Sequence, residues 1–318
     1  MTKHVIGRLL VSIPMLLGIT IIIFVLANLM PGDAIGAMMT DQSILTEETM
    51  ELQRARLGLD KPMAVRYLLW VQQLLRGNMG YSYVSGRPIA KAVGERIVPT
   101  LELMGVSLIF SLIIGISLGI VSALKQYSIV DYVLTIFGFA GISMPVFFVG
   151  MLLMHFFALK LRWLPTSGMA TPGIPFSLAD NLKHLALPAV AIGILRIAAF
   201  MRYTRASMLD VLKSDYLVTA RSKGLPERVV LIRHALRNAL IPIVTVVGLT
   251  LPALLAGAVF IETIFQWPGM GRLYITAVTH RDYPMIMGVA LVTTMMVLFS
   301  NLLVDITYTF ADPRIRYR

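Results

Sequence analysis

A serine between two glycines is the first arrangement in this chain that could do covalent chemistry. Gly115-Ile116-Ser117-Leu118-Gly119 matches G-x-S-x-G, and His155, one apolar segment later, is a conceivable base. A nucleophile elbow of that pattern needs a strained turn from a strand into a helix. These residues instead sit inside an uninterrupted apolar run, where small residues four apart let two helices approach closely. An intramembrane serine hydrolase is thus a remote alternative, and no catalytic residue is expected. Cysteine is absent, which removes thiol nucleophiles and thiolate metal sites, and the five histidines are scattered rather than set at ligand spacing. No metal and no cofactor are expected. No G-x-x-x-x-G-K-S/T phosphate loop occurs, so nothing here would cradle a nucleoside triphosphate.

The elements that carry these residues are set by the apolar runs. The chain is 57% hydrophobic and 14% charged over 318 residues, too little polar material to cover a soluble surface. A bilayer core about 30 Å thick takes about 20 apolar residues as a helix, because unpaired backbone groups are too costly in hydrocarbon. Six runs qualify: 9–30, 103–124, 133–159, 185–201, 239–261 and 284–304. The expected fold is all-α and polytopic, with six transmembrane helices. The first run exceeds the roughly 7–15 residues typical of a signal peptide and reads as a retained anchor.

Charge placement sets the orientation. The formal charge is +11, which could suggest nucleic acid, but basic cytoplasmic loops beside anionic headgroups explain it better, and no nucleic-acid partner is expected. Lys3, Arg8, Lys125, the basic residues between 196 and 237, and Arg314, Arg316 and Arg318 fall on one side. The shorter loops opposite hold Lys160, Arg162, Lys183, Arg272 and Arg281. Both termini are expected in the cytoplasm of a bacterial or archaeal cell, with Gln72 outside the inner membrane and Ser207 inside. Within the spans, Arg196 is placed near the cytoplasmic end, where it can snorkel, and Asp305 can pair with a basic residue at its level. His155 reads as a hydrogen-bonded packing residue and Glu102 as a favourable charge at a helix N-terminus. No substrate ligand is assigned.

Three regions follow: 1–30, the N-terminal tail and first span; 31–100, an extracytoplasmic helical segment; and 101–318, a core of five spans containing a cytoplasmic loop at 202–238. In the second, Thr46 can cap a helix with Glu47 and Glu48 in its first turn and Gly58 at its end. Pro62 can open another, running to Arg76 and closed by Gly77, with Leu68, Leu69, Leu74 and Leu75 packing it onto the membrane domain.

The loop reads KSDYLVTARSKGLPERVVLIRHALRNALIP from Lys213. Ser214 can cap a helix through Lys223, Gly224 suits a left-handed C-terminal cap, and Pro226 suits the start of a second helix with Glu227 near its positive end. Small Ala220 and Gly224, four apart, leave room for another surface, and Arg221, Lys223 and Arg228 supply a cationic rim. A solvated basic loop drawn to lipid headgroups is the plainer alternative.

The segment resembles the EAA loop of ABC importer permeases, in the form found in oligopeptide, dipeptide and nickel systems. The resemblance rests on Thr219-Ala220-Arg221-Ser222-Lys223-Gly224-Leu225, then Arg233-His234-Ala235-Leu236-Arg237-Asn238, then Ile241-Pro242. Val218 and Thr219 stand where the generic motif has Glu and its first Ala, and the stretch between residues 224 and 242 is longer than usual. Pro31-Gly32-Asp33, Leu57-Gly58-Leu59-Asp60-Lys61-Pro62, Gly77-Asn78-Met79-Gly80-Tyr81-Ser82, Trp163-Leu164-Pro165, Trp267-Pro268-Gly269-Met270-Gly271, Arg281-Asp282-Tyr283-Pro284 and Asp312-Pro313-Arg314 extend the likeness over nearly the whole chain, in the manner of the first of two permease subunits.

The resemblance implies a type I importer permease forming half of a translocation pathway for oligopeptides or dipeptides; nickel, glutathione or another small solute is the alternative cargo. It implies a second, homologous permease, two cytoplasmic ATPases and an extracytoplasmic substrate-binding protein. It also implies that Asp215, Thr219, Ala220, Arg221, Lys223, Gly224 and Leu225 contact an ATPase. A membrane receptor or assembly factor without transport activity is the remaining rival.

Overall fold

The computed structural model describes residues 2–29 and 61–311. The helix expected from Thr46 to Gly58 lies outside those residues, as do the motif pieces at 31–33, 57–60 and 312–314. Eleven helices make up the described chain: α1 (Thr2–Leu29), α2 (Met63–Leu75), α3 (Ile89–Leu124), α4 (Ile129–Ser143), α5 (Val146–Lys160), α6 (Leu178–Leu212), α7 (Asp215–Ser222), α8 (Glu227–Ala239), α9 (Ile241–Ile264), α10 (Met270–Thr279) and α11 (Tyr283–Ala311). Among the described residues β pairing is limited to one bridge, Tyr81 with Pro88.

Four helices, α1, α3, α6 and α11, are long and apolar enough to cross a membrane unbroken, and two bent pairs, α4 with α5 and α8 with α9, bring the number to as many as six, with α9 supplying the apolar length of the second pair. The run at 133–159 is therefore not one straight helix. It turns by 106° at Met144 and Pro145. Proline supplies no N–H and pushes the residue before it out of the helical region, and Met144 accordingly sits at φ −92°, ψ 132°. The last two turns of α5, Met154–Lys160, are wound as a π-helix. α3 and α6 run well beyond the expected 103–124 and 185–201, because each apolar stretch continues into polar turns that hydropathy alone does not count.

The chain divides into two compact units: residues 1–5, 101–267 and 299–318, and residues 6–100 and 268–298. In the first, α6 is the central helix, with α3, α4, α5 and α9 against it. Gly115 and Gly119 are where α3 meets α6. A Cβ on Gly115 would lie 2.7 Å from that of Phe200, and one on Gly119 would lie 2.7 Å from the Met201 carbonyl oxygen. The small-residue contact is real, and Ser117 between them is an ordinary helical serine whose hydroxyl donates to the Ile113 carbonyl at 2.7 Å.

In the second unit, α2 lies against α1. Pro62 opens it and Gly77, at φ +78°, closes it, as the sequence predicts. Its contact face differs: Tyr67 and Trp70 surround Phe24, the Tyr67 hydroxyl shares a hydrogen bond with Thr20, and Arg66 donates to Asn28 at 2.5 Å. Leu68, Leu69 and Leu75 point outward instead, because positions 67 and 70 share one helical face and the aromatic rings bury more area there. Two motif pieces also meet. The buried Asp282 carboxylate accepts from the Ser82 hydroxyl and, at 3.0 Å, from the Tyr83 amide, which fixes the Gly80-Tyr81-Ser82 turn at the start of α11. Burial pushes the neighbouring Tyr83 phenol up.

Candidate functional site

The loop after α6 is a helical hairpin mounted on the end of its own unit. Ser214 is extended and starts α7, yet its hydroxyl donates back to the Val211 carbonyl at 2.5 Å instead of capping α7. Leu217 and Ala220, three positions apart and so on one face, are buried with Ala123 of α3, Met208 of α6, and Val230, Ala235 and Ala239 of α8. Gly224 turns the chain at φ +74°, its N–H donating to Arg221 O at 2.9 Å and Lys223 N–H to Thr219 O at 3.1 Å. Pro226 then precedes α8 as its N-cap.

Two clasps hold the hairpin closed. Arg221 donates to both carboxylate oxygens of Glu227, at 2.8 and 3.1 Å, and the guanidinium keeps the Glu227 carboxyl below its usual value. The Asn238 amide donates to the Tyr216 hydroxyl at 3.0 Å. A third bond, Ser207 Oγ to Ala239 O at 2.9 Å, ties the end of α8 back to α6. The middle of α8, Val230–Leu236, is π-wound. Its axis then bends by 40° into α9.

Of the residues expected to meet a partner, Asp215, Thr219, Arg221, Lys223, Gly224 and Leu225 are exposed around the apex. Ala220 is not. At 7% exposure its side chain is packed inside the chain's own core, so the room expected beside Ala220 is taken by α8 and α3. A Cβ on Gly224, by contrast, would meet nothing within 4 Å. The exposed Val218, at 56%, joins Leu225, at 37%, in giving the polar apex an apolar element; of the two, only Val218 was missed as a contact residue. Its place in α7 on the side opposite the buried Leu217 and Ala220 was the available signal.

The ion pair beneath the hairpin was not foreseen. Arg205 on α6 donates to both oxygens of the buried Asp131 at the start of α4, at 2.8 and 2.7 Å. Asp131 also accepts from the Ser122 hydroxyl and from the Tyr127 amide at 3.0 Å, which fixes the turn between α3 and α4.

Comparison with known proteins decides what this architecture belongs to. Residues 115–317 match the family described as "Binding-protein-dependent transport system inner membrane component", and residues 1–104 match its N-terminal companion. The chain belongs to this permease family. A putative peptide permease protein of Brucella suis biovar 1 is 44% identical over 99% of both chains. The oligopeptide transport system permease protein of Bacillus subtilis is 41% identical over the full length of both. A glutathione transport system permease protein of Salmonella choleraesuis is 38% identical, again over the full length of both. Among solved structures, an amino acid ABC transporter crystallised with histidines matches with a TM-score of 0.51 at 17% identity, covering 69% of this chain and 94% of that one. That likeness is one of fold, the type I permease fold. The protein is a multi-pass inner-membrane permease subunit, not an enzyme.

The permease's other singled-out residues fall as follows. Glu102 lies well inside α3, which begins at Ile89, so the helix N-terminus expected to favour it is elsewhere. His155 is exposed on the π-wound end of α5, edge-on to Phe156, rather than buried in packing. Gly269 is the N-cap of α10, and the Met270 amide donates to Thr100 Oγ1 at 2.8 Å, so the glycine turn is an anchored helix start rather than a free loop. Arg196 lies midway along α6.

Proposed function

We propose that this permease forms half of a peptide-import pathway, with a second homologous permease, two cytoplasmic ATPases and an extracytoplasmic binding protein. The observation that carries the cargo reading is full-length identity of 44% and 41% to relatives whose names specify peptides and oligopeptides. The α7–α8 hairpin is the ATPase contact, with Asp215, Thr219, Arg221, Lys223, Gly224 and Leu225 meeting the partner and Ala220 supporting them from beneath. Clasped by Arg221 with Glu227 and by Tyr216 with Asn238, the hairpin moves as one body. Its seat on Met208 and Ala123 passes that motion to α6 and α3. ATP-driven closure of the ATPases thereby rocks the spans between inward-facing and outward-facing arrangements. Reconstitution of all the subunits in lipid vesicles should give ATP-dependent uptake of tri-alanine delivered by the binding protein. The permease alone should bind no stoichiometric nucleotide. Uptake without the ATPases, or none with the whole assembly, would overturn the reading.

Both termini and the hairpin are cytoplasmic in this proposal, and α2 is external. The absence of cysteine makes the test clean. Ser207 is half-buried and tied to Ala239, so Asp210, exposed on the same helix, is the better inner reporter. An impermeant thiol reagent applied to intact cells should label Gln72→Cys strongly and Asp210→Cys only after permeabilisation. The opposite pattern inverts the topology.

A further inference from the structure

We infer that Arg196 is a cargo-binding residue inside the translocation pathway, recognising the C-terminal carboxylate of a peptide; the inference rests on the peptide-import reading above. The depth of Arg196 is fixed by its own helix. Arg205 pairs with Asp131 beside the turn between α3 and α4, where the chain leaves the apolar layer. Arg196 stands nine positions earlier on α6, about 14 Å deeper at about 1.5 Å per residue. His184, hydrogen-bonded to the Asp180 carbonyl near the opposite end of the helix, is twelve positions earlier still. The guanidinium is therefore close to the middle of a core about 30 Å thick, too deep to reach either headgroup layer by snorkelling.

Its charge is not answered within the chain. Arg205 has its carboxylate; Arg196 has no hydrogen bond or ion pair among the described residues. Arg196 itself is half-buried, with Ile192, Gly193 and Phe200 buried around it on α6. Ile194, Ala198 and Met201 meet α4 at Gly138 and Gly141, while Ile197, Phe200 and Thr204 meet α3 at Gly115 and Gly119. Arg196 shares its stripe with Tyr203, seven positions on, and Tyr203 is 46% exposed. A cation at mid-membrane, half-buried and without a carboxylate among the described residues is placed to meet an anion that comes and goes. Every peptide with a free C-terminus carries one. A planar guanidinium matches a carboxylate through two parallel hydrogen bonds, which an amide cannot accept in the same way.

The test compares ATP-driven uptake of tri-alanine and of its C-terminal amide by the full reconstituted transporter, with the same binding protein throughout. Wild type should prefer the free acid, and Arg196→Gln should lower that preference at least fivefold, mainly by slowing uptake of the acid. Arg196→Lys, which keeps the charge, should restore part of it. Any discrimination made by the binding protein cancels in the ratio between variants. An unchanged acid-to-amide ratio in Arg196→Gln overturns the inference alone. Failure of Arg196→Gln to co-purify with the second permease also overturns it, because the partner of Arg196 is then a subunit. If wild type takes up neither compound, the peptide reading falls, and the inference with it.

Discussion

Replacing Gly224 with glutamate should cut substrate uptake at least tenfold while the permease still reaches the membrane at normal level. Gly224 sits at the apex of the hairpin with φ +74°, a backbone region that costs an ordinary side chain about 1 kcal/mol or more. That strain alone will not unfold a helical hairpin held by Arg221 with Glu227 and by Tyr216 with Asn238. Nor will a clash within the chain, since nothing lies within 4 Å of the Cβ position. What changes is the outer surface. A carboxylate is thrust from the apex toward whatever docks there, adding a negative charge to a rim made cationic by Lys223 and Arg228. Gly224→Asn, which tolerates the left-handed conformation, should lose much less, and Gly224→Ala should fall between. ATPase co-purification and uptake, measured together, separate docking from folding. Normal uptake by Gly224→Glu at wild-type expression would remove the hairpin from the energy-coupling contact.

The turn itself was legible because its chemistry is local. Gly224 follows a short helical pattern and precedes a proline, and only glycine adopts that φ freely, so sequence alone places the corner. Span lengths were legible for a similar reason, since the bilayer sets a length that apolar runs must meet. The bend at Pro145 was also written in the chain, but hydropathy averages across a proline and reported one span where there are two segments at 106°. The orientation of α7 was not legible. Its eight residues carry apolar side chains at positions 217, 218 and 220, and only the neighbouring α8 and α3 decide that Leu217 and Ala220 go inside while Val218 stays out. Contacts between distant segments left no local trace: Ser82 and Asp282 are 200 positions apart, and Asp131 and Arg205 are 74.

The second large effect is expected at that last pair. Arg205→Ala should lower the thermal midpoint of the purified complex by several degrees and reduce uptake per assembled transporter. Asp131 is only 2% exposed and receives both of its charge-assisted bonds from Arg205. Removing the guanidinium leaves a buried carboxylate with the Ser122 hydroxyl and the Tyr127 amide, and stranding a buried charge typically costs about 3–5 kcal/mol. Removing both charges is different. Asp131→Leu combined with Arg205→Met leaves no orphan ion, so the double variant should be more stable than Arg205→Ala, a coupling that unrelated sites would not show. The effect on transport follows from position. Ser122, which bonds Asp131, is followed in α3 by Ala123, one of the residues on which Leu217 and Ala220 of the hairpin rest. Loosening the turn between α3 and α4 therefore softens the seat through which the hairpin moves α6. A midpoint for Arg205→Ala equal to wild type would mean that water already satisfies Asp131 and that the pair has no structural role. A lowered midpoint with unchanged uptake per assembled transporter would confine the pair to stability and place the path of motion elsewhere.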